Sequence, residues 1–462
     1  MTGFGNEDTV AAIATAPGEA SIAVVRVSGR DALSVVDRIF RGRRPLRKTG
    51  SHRVLYGRIV RLRDGEHVDE VLVTVMRGPR TYTTEDVVEI GTHGGARVTE
   101  AVLTEVLRAG ARLAEPGEFT KRAFLGGRID LAQAEGVMEL IRAQTTLARA
   151  AALRQVEGSL TVAVGDLRQV LLELMAHIEV TIDYPEHDEE EATGRMVERR
   201  GAELLAALDG LLGMAMGGRI LRDGVRTAIV GKPNVGKSSL LNQLAGVDRA
   251  IVTDIAGTTR DIIEETVHVG GVALCLMDTA GIRETDNVVE QIGVERSRAA
   301  MAGAELVLLV LDGSRPLDGT DRELLAHAAG RRAVIVVNKS DLPQAVSQAE
   351  VAAECGCARV LSYCALRRED ASRLAETVRD LVLSGVGLSG DPTFVANARQ
   401  IGLLEGARAA LVRALDGAAQ GVTLDLAAAD IRQVWMLLGE IIGETPREDL
   451  LDQIFSQFCL GK

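Results

Sequence analysis

The sequence is poor in aromatic residues, in cysteines and in long apolar runs. Aromatic residues make up only 3% of its 462 residues, and its five cysteines lack paired Cys-x-x-Cys spacing. This odd, unpaired set predicts neither a disulfide framework nor a zinc site. Apolar runs such as residues 306–311 fall far short of the roughly 18 residues that a membrane span requires. Glu7 and Asp8 stand where an export signal would be basic and then apolar, so we expect a cytoplasmic protein that contacts no membrane.

Positive charge is also scarce over the whole chain. Lys and Arg number 53 against 65 Asp and Glu, which gives a net charge of −12 and argues against broad nucleic-acid affinity. One local basic cluster runs against this trend, with Arg41, Arg43, Arg44, Arg47 and Lys48, and its simplest interpretation is a solvated loop. A hydrophobic content of 46% indicates a soluble, helix-rich protein long enough for about three domains.

The most informative motif is a glycine-framed loop. Residues 231–238 read Gly-Lys-Pro-Asn-Val-Gly-Lys-Ser and match G-x-x-x-x-G-K-[ST] at every fixed position. The residues before it predict a buried strand (226–230) and those after it predict a helix (238–244), which is the context a phosphate loop needs. Lys237 can reach the β- and γ-phosphates of a nucleotide, and the Ser238 hydroxyl can hold Mg²⁺. We expect nucleotide contacts from Asn234, Gly236, Lys237, Ser238 and Ser239.

Two later motifs identify the base. Residues 278–281 read Asp-Thr-Ala-Gly, and residues 338–341 read Asn-Lys-Ser-Asp after a short β-branched run. The carboxylate of Asp341 only accepts hydrogen bonds, and guanine presents two donors where adenine presents an acceptor and no amine. The three motifs in this order predict a GTP site. Its further contacts would be Asp278, which holds Mg²⁺ through water, Gly281, which offers its N–H to the γ-phosphate, and Asn338, Lys339 and Asp341.

The usual catalytic glutamine is missing. Many GTPases place it directly after Asp-x-x-Gly, where it orients the attacking water, but here Ile282 occupies that position. A monovalent cation could supply the positive charge of an arginine finger, and the side-chain oxygen of Asn234 suits such an ion. A loop-stabilising role for Asn234 is the alternative. The polar and cationic candidates for the missing groups are Glu284, Asp286, Glu290, Glu295, Arg260 and Arg283.

The periodicity along the chain predicts a multidomain protein of α/β and all-α parts. Short strand-like runs and a helix at 97–108 predict an N-terminal α/β domain at residues 1–120. Helical patterns then predict a discontinuous helical domain at 121–221 and 385–462, interrupted by an inserted GTPase domain at 222–384 with a mostly parallel sheet flanked by helices. Residues expected on buried helical faces are Leu171, Leu174, Met175, Ile178, Ile182, Ile431, Val434, Leu438 and Ile441. Residues 445–448 form a capping box that would open a last helix toward Cys459.

Several segments together resemble one family, the bacterial tRNA-modification GTPase MnmE, also called TrmE. The resemblance covers the whole chain and includes Glu115-Pro-Gly-Glu-Phe119, Asp130-Leu-Ala-Gln-Ala-Glu135, the inserted GTPase and the terminal Phe458-Cys-Leu-Gly-Lys462; Arg122-Ala-Phe124 is a further mark. It implies a Ras-like GTPase domain, a homodimer formed through the N-terminal domain, and a bound tetrahydrofolate in the 5-formyl or 5,10-methylene form. It also implies a heterotetramer with the FAD protein MnmG and an aminomethyl-type substituent, such as carboxymethylaminomethyl, on C5 of the wobble uridine of certain tRNAs.

The resemblance also implies roles for single residues. Asn234 matches the potassium-binding asparagine of the family, and residues 253–259 match the loop that wraps the ion, so the K⁺ ligands would be Asn234, Thr253, Ile255 and Thr258. Thr259 would join Ser238 on Mg²⁺. Glu290 falls where the family keeps the glutamate that orients water, and K⁺-dependent pairing of two GTPase domains would then stimulate hydrolysis. Thr253 and Thr259 also count among the predicted GTP contacts.

The remaining implied sites are a folate pocket and a C-terminal cysteine. The pocket would use Arg26, Glu89, Arg128 and Lys462, since a carboxylate suits the amino-pyrimidine edge of a pterin and cations suit the glutamate tail. Cys459 matches the family's C-terminal cysteine, associated with the modification reaction; its alternative role is that of a small buried hydrophobe. Each of the four charged residues has the alternative role of a surface ion-pair partner.

One guanine-binding segment allows two alignments. The family pattern Ser-Ala-x falls on Ser362-Tyr-Cys-Ala-Leu366, where Ser362-Tyr363 or Cys364-Ala365 could take its place. We favour Cys364 and Ala365 because this alignment keeps the spacing to a helix predicted at 371–383.

Two other functions remain open at this stage. One is a GTP-dependent switch that binds RNA or ribosome-assembly factors without modification chemistry. The other is a folate-dependent transferase with a regulatory GTPase attached.

Overall fold

A computed structural model describes residues 8–183, 190–247, 265–277, 290–356, 359–384, 397–420, 423–444 and 448–462. The chain divides into two compact units, and only the second is a continuous stretch of sequence. The first unit combines Met1–Met138 with Leu438–Lys462, and the second is Glu139–Leu437. The four-part division expected from the sequence stays a prediction.

The first unit is built on a seven-stranded sheet in the order β3-β4-β5-β6-β2-β1-β7. Its ladders are antiparallel except for the short parallel pair of β1 with β7. The strands are β1 Val10–Ile13, β2 Ile22–Ser28, β3 Phe40–Gly42, β4 Arg53–Val60, β5 His67–Met76, β6 Val87–His93 and β7 Arg112–Leu113. The helices are α1 Ala32–Ile39, α2 Ala96–Arg108, α3 Glu118–Leu125 and α4 Leu131–Arg142, with a 3₁₀ turn at Leu46–Lys48.

The alternating pattern that predicted these strands also sets the two faces of the sheet. Val25, Val73 and Ile90 point to one face and are fully buried with residues of α1 and α2. The opposite face exposes Val54, Tyr56 and Leu72 at 61%, 63% and 51%. One side of the sheet therefore carries the core of this unit, and the other offers apolar side chains to solvent.

The C-terminal segment belongs to this first unit. Helix α15, Glu448–Ser456, packs through Phe455 on α3 and α4, and the Phe455 ring centroid lies 5.2 Å from that of Phe458. Gly461 has φ +88°, and a Cβ there would lie 2.3 Å from the carbonyl oxygen of Ile13. Only glycine fits this approach, which brings the chain terminus against β1. The predicted capping box begins in residues 445–447, which lie outside the described part.

The helices of the second unit carry most of the predicted apolar faces. They are α5 Thr146–Val156, α6 Ser159–Asp183, α7 Glu190–Asp223, α13 Ala398–Ala419 and α14 Leu424–Ile442, the last of which continues into the first unit. Leu171, Leu174 and Ile178 of α6 are buried as predicted, whereas Ile182 is 38% exposed.

One of these helices bears on the expected absence of membrane-spanning segments. Residues Thr193–Asp223 of α7 are long and apolar enough to cross a membrane by length and composition. Leu204, Leu208 and Leu211 on this stretch are buried in the unit. A core helix of a soluble protein passes the same length test, so this feature is weak evidence for a membrane.

The second unit also holds a six-stranded sheet in the order β13-β12-β11-β8-β10-β9. All its pairs are parallel except β9 with β10, which are joined by Gly270 and Gly271 at positive φ in the predicted hairpin turn. The strands are β8 Val225–Val230, β9 Glu265–Val269, β10 Val272–Leu276, β11 Leu306–Asp312, β12 Ala333–Asn338 and β13 Val360–Ser362. The helices are α8 Lys237–Val247, α9 Glu290–Gly303, α10 Gly319–Ala328, α11 Gln348–Cys355 and α12 Arg368–Ser384.

Separate apolar clusters cover the two faces of this sheet. One joins its strands to α8 and α12, and the other joins them to α10 and α11. A mostly parallel sheet with both faces covered is the arrangement that the buried, β-branched strands predicted. The predicted fold class is confirmed: an N-terminal α/β part, a helical part, and a P-loop domain flanked by helices.

Candidate functional site

The phosphate loop lies between β8 and α8, where the motif predicted it. Gly231 and Gly236 have φ values of +147° and +102°. A Cβ on Gly236 would lie 2.1 Å from Nδ2 of Asn338, and one on Gly231 would lie 2.3 Å from the carbonyl oxygen of Val310. The loop is therefore packed against the next two strands, and side chains at these positions would push it out of place.

Lys237 closes over this loop. Its Nζ donates to the carbonyl oxygens of Gly231 and Lys232 at 2.8 and 2.7 Å. Burial lowers the pKa of Lys237, because the amine has lost water and no carboxylate among the described residues replaces it. A cation held in this way above glycine amides fits a triphosphate, whose charge would restore the lost solvation. Ser238 is half-buried and Ser239 is exposed at the start of α8.

Asn234 is exposed at the tip of the loop with φ +65°. Asparagine tolerates this left-handed conformation better than most residues, so the loop-stabilising role is physically satisfied. The exposed amide is equally free to hold an ion at the loop surface. The other predicted K⁺ and Mg²⁺ ligands, Thr253, Ile255, Thr258 and Thr259, lie outside the described residues, so neither ligand set is complete.

The guanine motif begins at the end of β12 and is tied to the phosphate loop. Asn338 is buried; its Nδ2 donates to the carbonyl oxygen of Val235 at 2.8 Å, and its Oδ1 accepts from the Ala365 amide at 3.3 Å. Nζ of Lys339 lies 2.6 Å from Oδ2 of Asp312. The buried amide thus links three loops that come from distant parts of the sequence.

The segment with two alignments lies beside the same motif. Sγ of Cys364 lies 3.4 Å from Oδ1 of Asp341, and the Cys364 amide donates to Oδ2 of Asp370 at 2.8 Å. Tyr363 is instead buried in the core, where its hydroxyl donates to Oε1 of Gln243 on α8. Burial raises the pKa of the Tyr363 phenol, so it stays a neutral donor. Cys364 and Ala365, the favoured alignment, are therefore the residues next to Asn338 and Asp341.

The catalytic region of this site is described only in part. Glu290 opens α9, and its side chain lies outside the described residues. The same holds for Asp278, Gly281 and Ile282. Their predicted roles stay predictions.

A second cluster lies in the first unit and contains the predicted folate residues. Arg26 and Glu89 face each other across β2 and β6, and Nε of Arg26 donates to Oε1 of Glu89 at 2.9 Å. Arg26 also donates to the carbonyl oxygen of Gly461 at 3.1 Å. The pKa of Lys462 is lowered, first by burial and then by the charge of Arg26. The four predicted residues are thus not scattered, since three of them interact directly or through their charges.

The fourth residue joins through an aromatic ring that the sequence reasoning missed. The Tyr82 ring centroid lies 5.1 Å from Cζ of Arg128 and 5.9 Å from Cζ of Arg26. Arg128 also donates to the carbonyl oxygen of Thr81 at 2.8 Å. Thr81, Tyr82 and Arg128 border a cleft of about 430 Å³. Tyr82 is one of only four tyrosines in the chain, which was the one signal in the sequence.

A buried charge network supports the loop that carries Tyr82. Arg122 on α3 is 4% exposed and bonds to Glu85 at 3.0 Å, to Glu118 at 2.8 Å and to Asp8 at 2.7 Å. The Tyr82 hydroxyl lies 3.0 Å from Oγ1 of Thr120 on the same helix. Because the buried guanidinium has carboxylate partners, it can stay charged and hold both ends of residues 82–85 in place.

Cys459 is exposed next to this cluster. Its carbonyl oxygen accepts from the amides of Lys462 and Gly117 at 3.3 and 3.4 Å. This exposure is contrary to the buried-hydrophobe alternative and leaves the thiol open to reagents. Among the described residues, no group of three His, Cys, Asp or Glu side chains forms a metal site.

Comparison with known proteins gives matches along the whole chain. The MnmE helical domain family matches residues 131–459, and the family of the GTP-binding protein TrmE N-terminus matches residues 9–128. The tRNA modification GTPase MnmE of Bacillus cytotoxicus is 50% identical over 456 residues, covering 98% of this chain and 99% of the relative. The protein of the same description from Geobacillus kaustophilus is 51% identical over 466 residues and is covered completely.

One solved structure gives a partial likeness. The G domain of the T. maritima FeoB iron transporter aligns with 34% of this chain and 98% of its own, at 23% identity and a TM-score of 0.25, too weak to carry an assignment. The two family matches and the full-length relatives carry it instead. The chain belongs to the MnmE family.

Proposed function

We propose that this protein is a GTP-hydrolysing tRNA modification enzyme. With an FAD-containing partner of the MnmG type, it adds a carboxymethylaminomethyl or aminomethyl group to C5 of the wobble uridine of certain tRNAs. One observation carries the proposal. The same chain, half identical to curated MnmE proteins, contains a phosphate loop tied to a guanine motif and a separate cationic cluster around Glu89. A ribosome-assembly switch has no use for the second cluster.

The GTPase site is proposed to bind the phosphates of GTP and to select guanine over other bases. Lys237 holds the phosphates, the glycine loop offers its amides, and the Asp341 carboxylate accepts the two donors of guanine. The Asn338 link between the loops keeps base and phosphate subsites in fixed relation. When bound, Mg²⁺ neutralises phosphate charge and K⁺ supplies the positive charge that an arginine finger gives elsewhere. Glu290 orients the attacking water.

The cluster in the first unit is proposed to hold a tetrahydrofolate. Glu89 uses Oε1 for Arg26, which leaves Oε2 without a partner among the described residues and available to the amino-pyrimidine edge of the pterin. Arg128 and Lys462 supply the positive charge for the glutamate tail. When bound, the folate supplies the one-carbon unit. Tyr82 contacts both arginines, and Tyr82 and Arg128 border the cleft.

The exposed face of the first unit supports a homodimer as the working form. Tyr56 and Leu72 are direct neighbours across β4 and β5, and Val54 and Ile22 extend the same apolar surface. A patch of this kind marks an interaction surface on a soluble domain. The occupant we propose is the same face of a second copy, and cytoplasmic localisation follows from the tRNA substrate.

Reconstitution from purified components tests this function. Unmodified tRNA, the chain, an FAD-containing partner, GTP, K⁺, Mg²⁺, methylene-tetrahydrofolate and an amine donor (ammonium or glycine) should yield a modified wobble uridine that is absent when GTP is left out. If GTP is hydrolysed and the tRNA is bound but never modified, the RNA-binding switch becomes the better account. If modification proceeds at full rate without GTP, the folate-dependent transferase becomes the better account.

A further inference from the structure

A strongly basic stretch of the first unit has no part in either cluster described above. Residues 38–63 contain ten Lys and Arg and no Asp or Glu, in a chain whose net charge is −12. Such a reversal of sign over 26 residues concentrates positive potential on one part of the surface. The question is which of these cations the fold leaves uncompensated.

Nine of the ten cations fall into two groups, and the tenth, Arg38, donates to the carbonyl oxygen of Ala109 at 2.8 Å. The first group is paired with carboxylates: Arg47 with Asp37 at 3.1 Å, Arg58 with Glu70 at 3.2 Å, Arg61 with Asp64 at 3.3 Å, and Arg63 with Asp64 at 3.1 Å. Within the described part of the chain, the second group has no carboxylate within ion-pair distance. We call this group the cationic edge; it consists of Arg41, Arg43, Arg44, Lys48 and Arg53, all of which are exposed.

The cationic edge is held in a fixed shape. Leu46 in the middle of the turn is fully buried, and its amide donates to Oδ1 of Asp37. Asp37 also accepts from Nε of Arg47 at 3.1 Å, so the one acidic residue nearby is already engaged. The guanidinium of Arg77 donates to the carbonyl oxygens of Arg47 and Thr49 at 2.8 and 3.2 Å. The fold thus fixes the backbone of the turn and leaves its cations directed to solvent.

Arg41 of this edge faces another cation. It lies directly across from Arg58 in the β3–β4 ladder, and Glu70 pairs with Arg58 and not with Arg41. Among the described residues, Arg41 donates to the carbonyl oxygens of Arg38 and Phe40, both at 3.0 Å, and has no carboxylate partner. A polyanion placed along β3 would compensate the charge of Arg41.

We infer that the cationic edge binds the phosphate backbone of the tRNA. Four of its five residues are arginines, whose planar fork suits phosphate oxygens. None of the exposed large apolar residues of the described chain falls within residues 41–53, so the edge lacks the apolar centre typical of protein interfaces. This inference rests on the proposed function, since it names the surface that holds the substrate of that reaction.

The test compares two charge-matched triple variants of the full-length protein. The first, Arg43→Gln with Arg44→Gln and Lys48→Gln, removes cations of the edge. The control, Arg58→Gln with Arg61→Gln and Arg63→Gln, removes three carboxylate-paired cations of the same stretch. Binding of fluorescent tRNA is measured by anisotropy at several salt concentrations, and thermal melting checks that both variants are folded.

The edge variant should bind tRNA roughly tenfold or more weakly near 0.1 M salt, with a log–log salt slope smaller by about 2 to 3, while the control stays close to the wild type. Equal losses of tRNA binding in both variants would overturn the inference. Unchanged tRNA binding with increased self-association of the edge variant would also overturn it, because cations on an edge strand can serve to block strand pairing. Unchanged tRNA binding with lost binding of the FAD-containing partner would assign the edge to a protein instead. In each of these cases the proposed function still holds if the wild-type protein modifies tRNA. If the wild-type protein binds no tRNA, both the proposed function and the inference on the cationic edge are contradicted.

Discussion

Oε1 of Glu89 accepts a hydrogen bond from Nε of Arg26 at 2.9 Å, and the two residues are register partners on β2 and β6. The family resemblance predicted both residues as separate contacts of a folate. Their pairing means that the carboxylate is oriented before any ligand arrives, with one oxygen used and one left. A preorganised acceptor of this kind loses little entropy on binding.

The Tyr82 ring should matter for folate binding through the two arginines that it touches. Tyr82→Ala removes both cation–π contacts and should weaken binding of a tetrahydrofolate by about tenfold, as measured by calorimetry. Tyr82→Phe keeps the ring and loses only the contact with Thr120, so it should bind nearly as well as the wild type. Equal binding by all three proteins would remove Tyr82 from the site.

Asp341 should determine the selectivity of the nucleotide site for guanine. Asp341→Asn replaces an acceptor with a group that donates, so GTP affinity should fall about 100-fold or more. The same variant should bind xanthosine triphosphate better than the wild type does, because xanthine carries a carbonyl where guanine carries the amine. Fluorescent nucleotide titration checks both. A variant that loses both nucleotides equally would point to a collapsed loop around Asn338 and not to lost selectivity.

Asn234 can be tested without disturbing the loop. Its φ of +65° makes alanine a poor probe, since a substituted side chain is strained there and glycine is not. Wild-type hydrolysis should be at least ~10-fold faster in K⁺ than in Na⁺. Asn234→Gly should lose this difference while still binding GTP, and Asn234→Asp, which keeps a side-chain oxygen, should retain it. Equal rates in K⁺ and Na⁺ for the wild type would leave Asn234 with the loop-stabilising role alone.

Glu290 should act on hydrolysis and not on binding. Glu290→Ala removes the group that orients water, so the hydrolysis rate in K⁺ should fall about 100-fold or more, with GTP affinity nearly unchanged. Glu295→Ala, five residues along the same helix, is the matched control and should hydrolyse GTP normally. Rapid-quench measurement of phosphate release separates the two. An unchanged rate in Glu290→Ala would return the role to Glu284, Asp286 or Glu295.

Periodicity and motif spacing were enough to predict the fold class and the place of the phosphate loop between a strand and a helix. Strands such as β5 were predictable because alternation reports directly which side of a sheet is buried. The phosphate loop was predictable because its chemistry needs glycines at fixed spacing. What sequence spacing could not supply was tertiary pairing: the contact of Tyr82 with two arginines, and that of Tyr363 with Gln243, depend on where distant segments meet.

The ambiguous guanine segment illustrates the same limit. Both Ser362-Tyr363 and Cys364-Ala365 fit the motif, and helix spacing alone favoured the second. The Tyr363 side chain is buried in the core, whereas Cys364 and Ala365 lie beside Asp341 and Asn338. This packing depends on where distant segments meet, which no local pattern records, and the alignment stays a prediction.

The central claim is that this protein uses GTP hydrolysis to modify the wobble uridine of tRNA. Mass spectrometry of total tRNA nucleosides from a strain that lacks the gene, complemented with the wild type or with Glu290→Ala, tests it most directly. We predict that C5-aminomethyl-type uridines disappear in the deletion strain, return with the wild type, and stay absent or strongly reduced with the variant. Unaltered wobble-uridine modification in the deletion strain would contradict the account.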